Sequence, residues 1–425
     1  MSVRESAAVT HVNKRTNNED AVLRRPELCV YAVADGMGGP GIGDAAARAA
    51  LAAVQSHAGA LRGQLRAVEA SPSSARRLEM GQLFERIFNQ AHESIRAHAA
   101  AHRARRMAAA LITAVVGHSS VFIAHVGNCR AYLLRARQLV QLTEDHSIAQ
   151  ARLRHGRLTP ASAAESPDRF RLYQSVGANA DMDVETAEVS LATGDVLLLC
   201  SDGLTSALSD DEILHYLTMP PQLPDAATAL VAAARAGGED NISVVLIRMG
   251  EISENPVVEA VSHALRQVFL FHDLSPAERY TIAPYMEEHR LKRGEVLVRE
   301  GDPADRFYVL IEGALRLTSG RAHLADLGPG EHLGALALAR PVKRAVTATA
   351  MQPARLYGLS RERFEQLVAR RTHLGGRLLM RLLDAVSDRL REMTGRVEGL
   401  TEEVTELRRR LELIERAARG ELRLR

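Results

Sequence analysis

Cys29-Val30-Tyr31-Ala32-Val33-Ala34-Asp35-Gly36-Met37-Gly38-Gly39 is an apolar run that delivers a carboxylate straight into a glycine-rich turn. The same arrangement recurs further along. Residues 196–200 are apolar and lead through Ser201 to Asp202-Gly203, and Glu239-Asp240-Asn241 opens the apolar run 242–247. Asn18-Glu19-Asp20 adds two more acids near the start. Acids set at strand ends, with glycine letting backbone carbonyls come close, suit a cluster of hard divalent cations bound through oxygen. That chemistry is what a metal-assisted hydrolase uses.

Working outward, strand and helix signals alternate through the first 250 residues. Residues 31–34, 114–116, 121–126, 131–134, 196–200 and 242–247 read as strands, and 44–56 and 83–98 as helices. The second helix carries Phe84, Ile87, Phe88, Ala91 and Ile95 at helical spacing. Two sheets covered by helices account for the pattern. Breaks fall at Ser71-Pro72-Ser73-Ser74, at 220–224 and at 250–256, and the last marks a domain boundary.

From Phe269 to about Tyr357, short strands are cut by Gly294, Gly301, Gly313, Gly320, Gly328, Gly330 and Gly334, the rhythm of a small β-barrel or β-roll. The period then changes again. Leu383, Val386, Leu390, Met393, Val397, Leu400, Val404, Leu407, Leu411 and Ile414 alternate spacings of three and four, as the a and d positions of a coiled coil do. Glu403 against Arg408 and Arg410 against Glu415 would be complementary pairs in a parallel dimer. A single amphipathic helix docked on its own protein is the alternative.

Composition sets outer limits. The chain has 425 residues, too many for one ordinary core, so two or three domains are expected. A formal charge of +2 makes no sequence-wide case for nucleic-acid binding. No basic-plus-apolar leader precedes Thr10, and no uncharged apolar stretch approaches the ~20 residues that span a bilayer, so a cytoplasmic protein with no membrane partner is expected. Cys29, Cys129 and Cys200 lack Cys-x-x-Cys spacing and read as buried thiols. His125 and His146 have no partner at metal-ligand spacing, and His146 reads as a structural hydrogen-bonding group.

Six segments occur together in one order: 15–20 (Arg-Thr-Asn-Asn-Glu-Asp), 34–39 (Ala-Asp-Gly-Met-Gly-Gly), 125–130 (His-Val-Gly-Asn-Cys-Arg), 142–147 (Leu-Thr-Glu-Asp-His-Ser), 200–204 (Cys-Ser-Asp-Gly-Leu) and 238–241 (Gly-Glu-Asp-Asn). In order and spacing they resemble the metal-dependent serine/threonine phosphatases of type 2C. The bacterial branch is nearest, since Met37 stands where eukaryotic members usually have histidine. The resemblance covers roughly residues 5–249 and implies an αββα sandwich. It further implies two Mn²⁺ or Mg²⁺ ions bridged by Asp35. Asp202 and Asp240 would complete the shell of one ion, with Glu19 and the Gly36 carbonyl on the other. Asp20 would stand behind the ligands, and Arg15 would hold the substrate phosphate. The implied reaction is direct hydrolysis by a metal-bridged water, with Arg15 and Asp35 as the catalytic pair.

Two positions depart from the family. Active members usually carry aspartate where this chain has Asn128, and often aspartate where it has Ser206; both support a third, weaker metal. Neutral oxygens at both positions should weaken that site greatly. The segment 148–181 falls where the family places a mobile flap near the substrate entrance. It carries Arg152, Arg154, Arg157, Arg169 and Arg171, which either meet phosphopeptides or form a solvated face.

Residues from about 259 to 372 resemble cyclic-nucleotide-binding domains of the catabolite-activator type, a β-roll or double-stranded β-helix. The resemblance rests on Leu291-Lys292-Arg293-Gly294-Glu295, on 299–305, on 307–313 and on Leu327-Gly328-Pro329-Gly330. The family's phosphate cassette reads Gly-Glu-Leu followed by an arginine-alanine pair; here it is Gly334-Ala335-Leu336, then Arg344-Ala345. Gly334, Arg344 and Ala345 are therefore the cyclic-phosphate candidates. Ala335 cannot accept the ribose hydrogen bond, a loss of ~1.5–3 kcal/mol or about 10- to 100-fold in affinity. A degenerate sensor or a docking module is the favoured reading, with cyclic-nucleotide binding left open. No helix-turn-helix follows, which argues against a transcription factor.

The resulting expectation is a multidomain α+β chain. A phosphatase-like domain occupies 1–250, a linker 251–258, a β-roll 259–372 and a dimerisation helix with coiled coil 373–425. It would be a homodimer acting on phosphoserine and phosphothreonine in phosphoproteins, among them a cognate serine/threonine kinase or its targets. The rival is a weakly active or inactive phosphatase-fold scaffold or sensor.

Overall fold

The computed structural model describes residues 3–251 except 40, 72–73, 105 and 179–181; residues 264–370 except 267, 275–277, 280–281 and 283–284; and residues 374–409 except 385–386, 388–390, 392–393 and 395–401. Contacts divide the chain into two units. One comprises 1–264 with 274–287, and the other 265–273 with 288–425.

The described residues of the first unit form ten strands: β1 (Val3–His11), β2 (Asp20–Arg25), β3 (Val30–Met37), β4 (Ala108–Val116), β5 (Ser120–Val126), β6 (Arg130–Arg135), β7 (Gln138–Gln141), β8 (Glu185–Ser190), β9 (Val196–Cys200) and β10 (Ile242–Met249). They form two five-stranded antiparallel sheets, ordered β1-β10-β9-β6-β7 and β2-β3-β4-β5-β8. Two 28-residue helices, α1 (Gly43–Ala70) and α2 (Ser74–Ala101), cover the second sheet. Ala50, Val54 and Leu61 of α1 and Phe84, Phe88 and Ile95 of α2 share a buried cluster with Ala32, Ala34, Leu111 and Val115.

Short helices α3 (Ile148–Arg154) and α4 (Pro160–Glu165), then a 3-10 turn at Pro167–Phe170, interrupt the chain between β7 and β8. Helices α5 (Asp202–Ala207), α6 (Asp210–Thr218) and α7 (Leu223–Gly237) cover the first sheet, where Leu223, Leu230 and Ala234 meet Leu198, Val244 and Leu246. Tyr31, Val33, Ile112, Leu197, Leu199 and Val245 are fully buried and alternate with those residues along their strands. They therefore point into the layer between the sheets, where β10 lies against β2 and β3. The two helix-covered sheets expected from the sequence are present.

Several boundaries differ from the sequence reading. β9 runs Val196–Cys200 as expected, but β4 begins at Ala108 rather than 114. Ala108, Ala109 and Ala110 have weak strand propensity, and pairing with Met37, Gly36 and Asp35 of β3 holds them extended. The edge strands β7 and β8 carry no long apolar run and escaped notice. The three cysteines are free and buried as expected, and burial pushes the Cys200 thiol up to about 12.

Among the described residues the second unit contains ten short strands. They are β11 (Glu287–Leu291), β12 (Val296–Val298), β13 (Pro303–Ala304), β14 (Arg306–Glu312), β15 (Leu315–Ser319), β16 (Ala322–Leu327), β17 (His332–Leu333), β18 (Val342–Lys343), β19 (Thr347–Ala350) and β20 (Ala354–Ser360). Helix α8 (Leu336–Ala339) lies between β17 and β18, and α9 (Arg361–Arg370) follows β20. The strands form two four-stranded sheets, β11-β20-β14-β17 and β12-β19-β15-β16, and a β13-β18 pair. Tyr308, Leu310, Leu315 and Leu356 form the buried centre.

Gly301, Gly313 and Gly330 take positive φ at the turns, as the glycine rhythm implied. Of the heptad residues, Leu383, Val404 and Leu407 are described, and all three are exposed. Val386, Leu390, Met393, Val397, Leu400, Leu411 and Ile414 lie outside the described residues, as does nearly all of the 251–258 linker. Among the described residues no helix is long and apolar enough to cross a membrane.

Candidate functional site

Both sheets of the first unit deliver acids to one place. In the second sheet Asp20 opens β2 and sits directly opposite Asp35 on β3, so the two carboxylates face the same side. In the first sheet β9 ends at Cys200 and the chain turns through Ser201 into α5, whose first residue is Asp202. Asp240 precedes β10.

Two glycines make the approach possible. A Cβ on Gly36 would fall 1.9 Å from the Gly43 carbonyl oxygen, and one on Gly203 would fall 1.8 Å from the Asn241 carbonyl oxygen. Only hydrogen fits at either position, and Gly203 thereby lets Asp202 and Asp240 share a corner.

Asn241, to which the sequence reading gave no role, ties the corner together. Its Oδ1 accepts from the Glu19 N–H at 2.8 Å, and its Nδ2 donates to the Val12 and Asn17 carbonyls at 2.8 and 3.0 Å. The 12–19 loop is thus pinned to the start of β10, with the Glu19 carbonyl accepting from the Gly36 N–H at 3.0 Å. Asp20 is buried and accepts from the Ser201 hydroxyl at 2.7 Å. Arg15 donates from Nη2 to Asp240 Oδ2 at 2.8 Å, and both side chains are well exposed.

The electrostatics are lopsided. Burial, then the negative charges of Asp20, Asp202 and Asp240, pushes the Asp35 carboxyl well above the carboxylate range. Burial also raises Asp20 to about 7, against the help of the Ser201 and Ser243 hydroxyls. Asp202 and Glu19 are raised too, mainly by burial. The negative charge of Asp202 bears directly on Asp35, so this buried corner favours taking up protons. A set of oxygen donors that takes up protons to relieve its own charge fits hard divalent cations. Glu19, Asp35, Asp202, Asp240 and the Gly36 carbonyl are the residues that would hold them.

Asn128 lies in the β5-β6 turn and donates from Nδ2 to Asp202 Oδ2 at 2.8 Å. Ser206 turns its hydroxyl back to the Gly203 carbonyl at 3.4 Å. Both groups are therefore spent on the protein's own oxygens.

His125, His146 and Glu185 correct the sequence reading, which gave the histidines no partner at ligand spacing. Their ligand atoms lie within 4.8 Å of one another, with the two imidazoles stacked at 4.7 Å. The signal was missed because Glu185 is far away in sequence. Hydrogen bonding nevertheless keeps His146 structural. Its Nδ1 accepts from the Gly127 N–H at 3.1 Å and faces the Gln174 amide nitrogen at 2.7 Å. The ring proton is thereby fixed on Nε2, toward Glu185 Oε2 at 3.4 Å, which takes that nitrogen away from any metal.

The arginines between β7 and β8 mostly hold their own segment. Arg152 and Arg171 both bind Asp168, Arg154 binds Glu144 at 2.9 Å, and Arg169 donates to the Ala164 carbonyl at 2.7 Å.

In the second unit Gly334 (φ +85°) and Arg344 are adjacent: a Cβ on Gly334 would lie 2.4 Å from Arg344 Nη1. The Arg344 side chain is buried, its Nε and Nη1 have no hydrogen-bond partner, and Asp305 is 4.0 Å from Nη2. Its guanidinium carbon stands 5.5 Å from the Tyr308 ring centre. Burial draws its basicity down. Ala335 lies at the N-terminal end of α8, and Ala345 is exposed.

Residues 9–241 match the family described as Protein phosphatase 2C, and residues 288–371 match the Cyclic nucleotide-binding domain. The serine/threonine phosphatase stp of Listeria monocytogenes is 39% identical over 142 residues, 33% of this chain and 56% of the relative. The match thus spans about half the length of that relative. Protein phosphatase PhpP of Streptococcus pneumoniae is 32% identical over 243 residues, 56% of this chain and 94% of the relative. Among solved structures, the serine/threonine phosphatase PstP/Ppp of Mycobacterium tuberculosis superposes with a TM-score of 0.51 at 27% identity, covering 59% of this chain and all of the other.

Proposed function

The chain belongs to the protein phosphatase 2C family and carries a domain of the cyclic-nucleotide-binding family, and from that premise we infer that it hydrolyses phosphoserine and phosphothreonine in phosphoproteins. The observation that carries this reading is the convergence of Glu19, Asp35, Asp202 and Asp240 from two sheets onto one buried, mutually repelling corner. Two Mn²⁺ or Mg²⁺ ions bound there would acidify water and offset the charge that builds on the phosphoryl oxygens.

The chain's own residues do the remaining work. Arg15, exposed at the rim and now on Asp240, has the planar fork to take two phosphate oxygens and orient the ester for in-line attack. Asp20 and Ser201 brace the acids from behind, and Asn241 fixes the 12–19 loop that presents Glu19 and Arg15. No protein nucleophile is required, so the proposed reaction is direct hydrolysis. The test is phosphate release from a phosphothreonine peptide across a Mn²⁺ titration, comparing the native chain with Asp35→Asn. Turnover that rises with metal and vanishes in the variant supports the reading; none in a folded, metal-saturated native chain overturns it.

The hydrogen bond from Asn128 to Asp202 favours a second reading, in which the two-metal corner forms without a third cation and turnover is low. The C-terminal half would then do more of the work as a dimeric sensor or scaffold.

For that half we propose the organisation read from the sequence, namely a linker over 251–258, a β-roll over 259–372 and a coiled-coil dimer over 373–425. The two four-stranded sheets support the roll, and exposed Leu383, Val404 and Leu407 support the dimer. The cassette keeps an anion-facing arginine but lacks the ribose acceptor. Weak or absent cyclic-nucleotide binding, with a regulatory role, is the reading this favours. A cytoplasmic setting alongside a serine/threonine kinase or its targets fits the same activity.

A further inference from the structure

A cavity of about 250 Å³ lies between α5 and the α3-α4 segment. Asp202 and buried Asn128 line it, so it adjoins the carboxylate corner. Ala149, Leu153, Pro160 and Ala163 line it as well, with exposed Phe170 at its mouth.

The polar groups that share the lining are already committed to one another. Arg130 places its fork on Asp145 at 2.8 and 2.7 Å, which neutralises both. The Ser147 hydroxyl accepts from the Gln150 N–H at the start of α3, and the Gln150 amide donates to Glu144 at 2.9 Å. Thr205 donates to the Asp202 carbonyl at 3.4 Å. Phe170, by contrast, is 52% exposed, with the Arg169 guanidinium 4.5 Å from its ring centre. An aromatic ring braced by a cation at the mouth of an alanine-lined space offers a surface that gains by being covered.

We propose that this cavity is a subsite for an apolar side chain lying one or two residues from the phosphorylated residue of the substrate. The inference rests on the phosphatase reading. It adds a substrate class, phosphopeptides with an aliphatic or aromatic neighbour. An acidic neighbour finds Arg130 already neutralised by Asp145, and the charge of Arg169 is turned onto the Phe170 ring and the Ala164 carbonyl at the mouth rather than into the space. The arginines of this segment thus shape the wall rather than meet the peptide.

The test uses the full chain with Mn²⁺ and phosphothreonine peptides that carry glycine, leucine, glutamate or lysine at each position from two before to two after the phosphothreonine. At one position leucine should exceed glycine about tenfold in kcat/KM, with glutamate and lysine no better than glycine. Ala164→Phe, at an exposed lining position, should fill the space and bring the leucine-to-glycine ratio near one. Phe170→Ala, at the lip, should lower the same ratio several-fold. Equal rates for leucine and glycine at every position, a preference for glutamate or lysine, or an unchanged ratio in both variants would overturn the subsite.

Fluorescence anisotropy with phosphonate analogues of the same peptides reads the preference without turnover. Tighter leucine binding on a chain that hydrolyses nothing sinks the phosphatase reading and keeps the subsite. Equal hydrolysis of all peptides does the reverse.

Discussion

The corner between the two sheets and the cassette of the second unit are electrostatic opposites. At the corner, Asp20, Asp35, Asp202 and Asp240 crowd together, and among the described residues Arg15, out at the rim, is the cation paired with one of them. In the cassette, the guanidinium of Arg344 is buried with two nitrogens unpartnered and its nearest carboxylate 4.0 Å away. Each region lacks the charge that the other has in excess.

Their means of relief differ. Carboxyls can take up protons, and burial raises Asp20 to about 7 for that reason. Arginine cannot give its proton up, so Arg344 leans on the Tyr308 ring and waits for an anion or bears the desolvation. On the proposed reading, the corner keeps a donor set for two cations, whereas the cassette keeps an arginine for an anion and lacks an acceptor for the sugar.

The sharpest break of this comparison is Asp35→Asn. It removes the acid common to both proposed cations and should lower phosphate release on the order of a thousandfold at saturating Mn²⁺. A folded variant with near-native turnover would end the two-cation account of the corner.

Next in size, Ala335→Glu restores the missing acceptor beside Gly334 and should tighten cyclic AMP or cyclic GMP binding about 10- to 100-fold by calorimetry. If the native chain already binds either nucleotide at micromolar concentration, the cassette is not half-lost and the contrast fails.

The double change Asn128→Asp with Ser206→Asp replaces a donor to Asp202 by an acid that needs a cation between them. Turnover should rise a few-fold to about tenfold at high Mn²⁺. No change in a fully metallated variant would mean that a third cation site has no part in limiting this chain.

Smallest is Arg344→Met. With no anion present it removes a buried, under-partnered charge, and urea unfolding should show a gain of about 1 kcal/mol, or no loss. A loss of ~3 kcal/mol or more would show that Asp305 and Tyr308 already satisfy the guanidinium.

Much of the corner was legible in the sequence because its acids are local events. Each one follows or opens a strand, so the apolar run that makes the strand also announces the residue at its end. The break at 71–74 likewise falls where α1 stops and α2 begins. The alanine stretch that begins β4, the edge strands and the full length of α1 were not legible. Alanine suits either structure, and pairing with β3 or packing on a sheet decides between them.

The role of Asn241, and the partner of Asn128, were hidden. Both are fixed by partners more than 70 residues away: Asn241 by Val12, Asn17 and Glu19, and Asn128 by Asp202. The flap arginines show the same limit. Their count left open a phosphopeptide-meeting surface or a solvated face, yet Asp168, Glu144 and Ala164 take most of them.

By itself, then, the sequence determined which acids, glycines and apolar runs exist and in what order, and hence the chemistry on offer. The tertiary structure decided which of those groups meet, which are spent on each other and which are left without a partner. The reason is physical: propensity and periodicity act over a few residues, whereas charge balance and hydrogen-bond satisfaction depend on distances that only the packed sheets set.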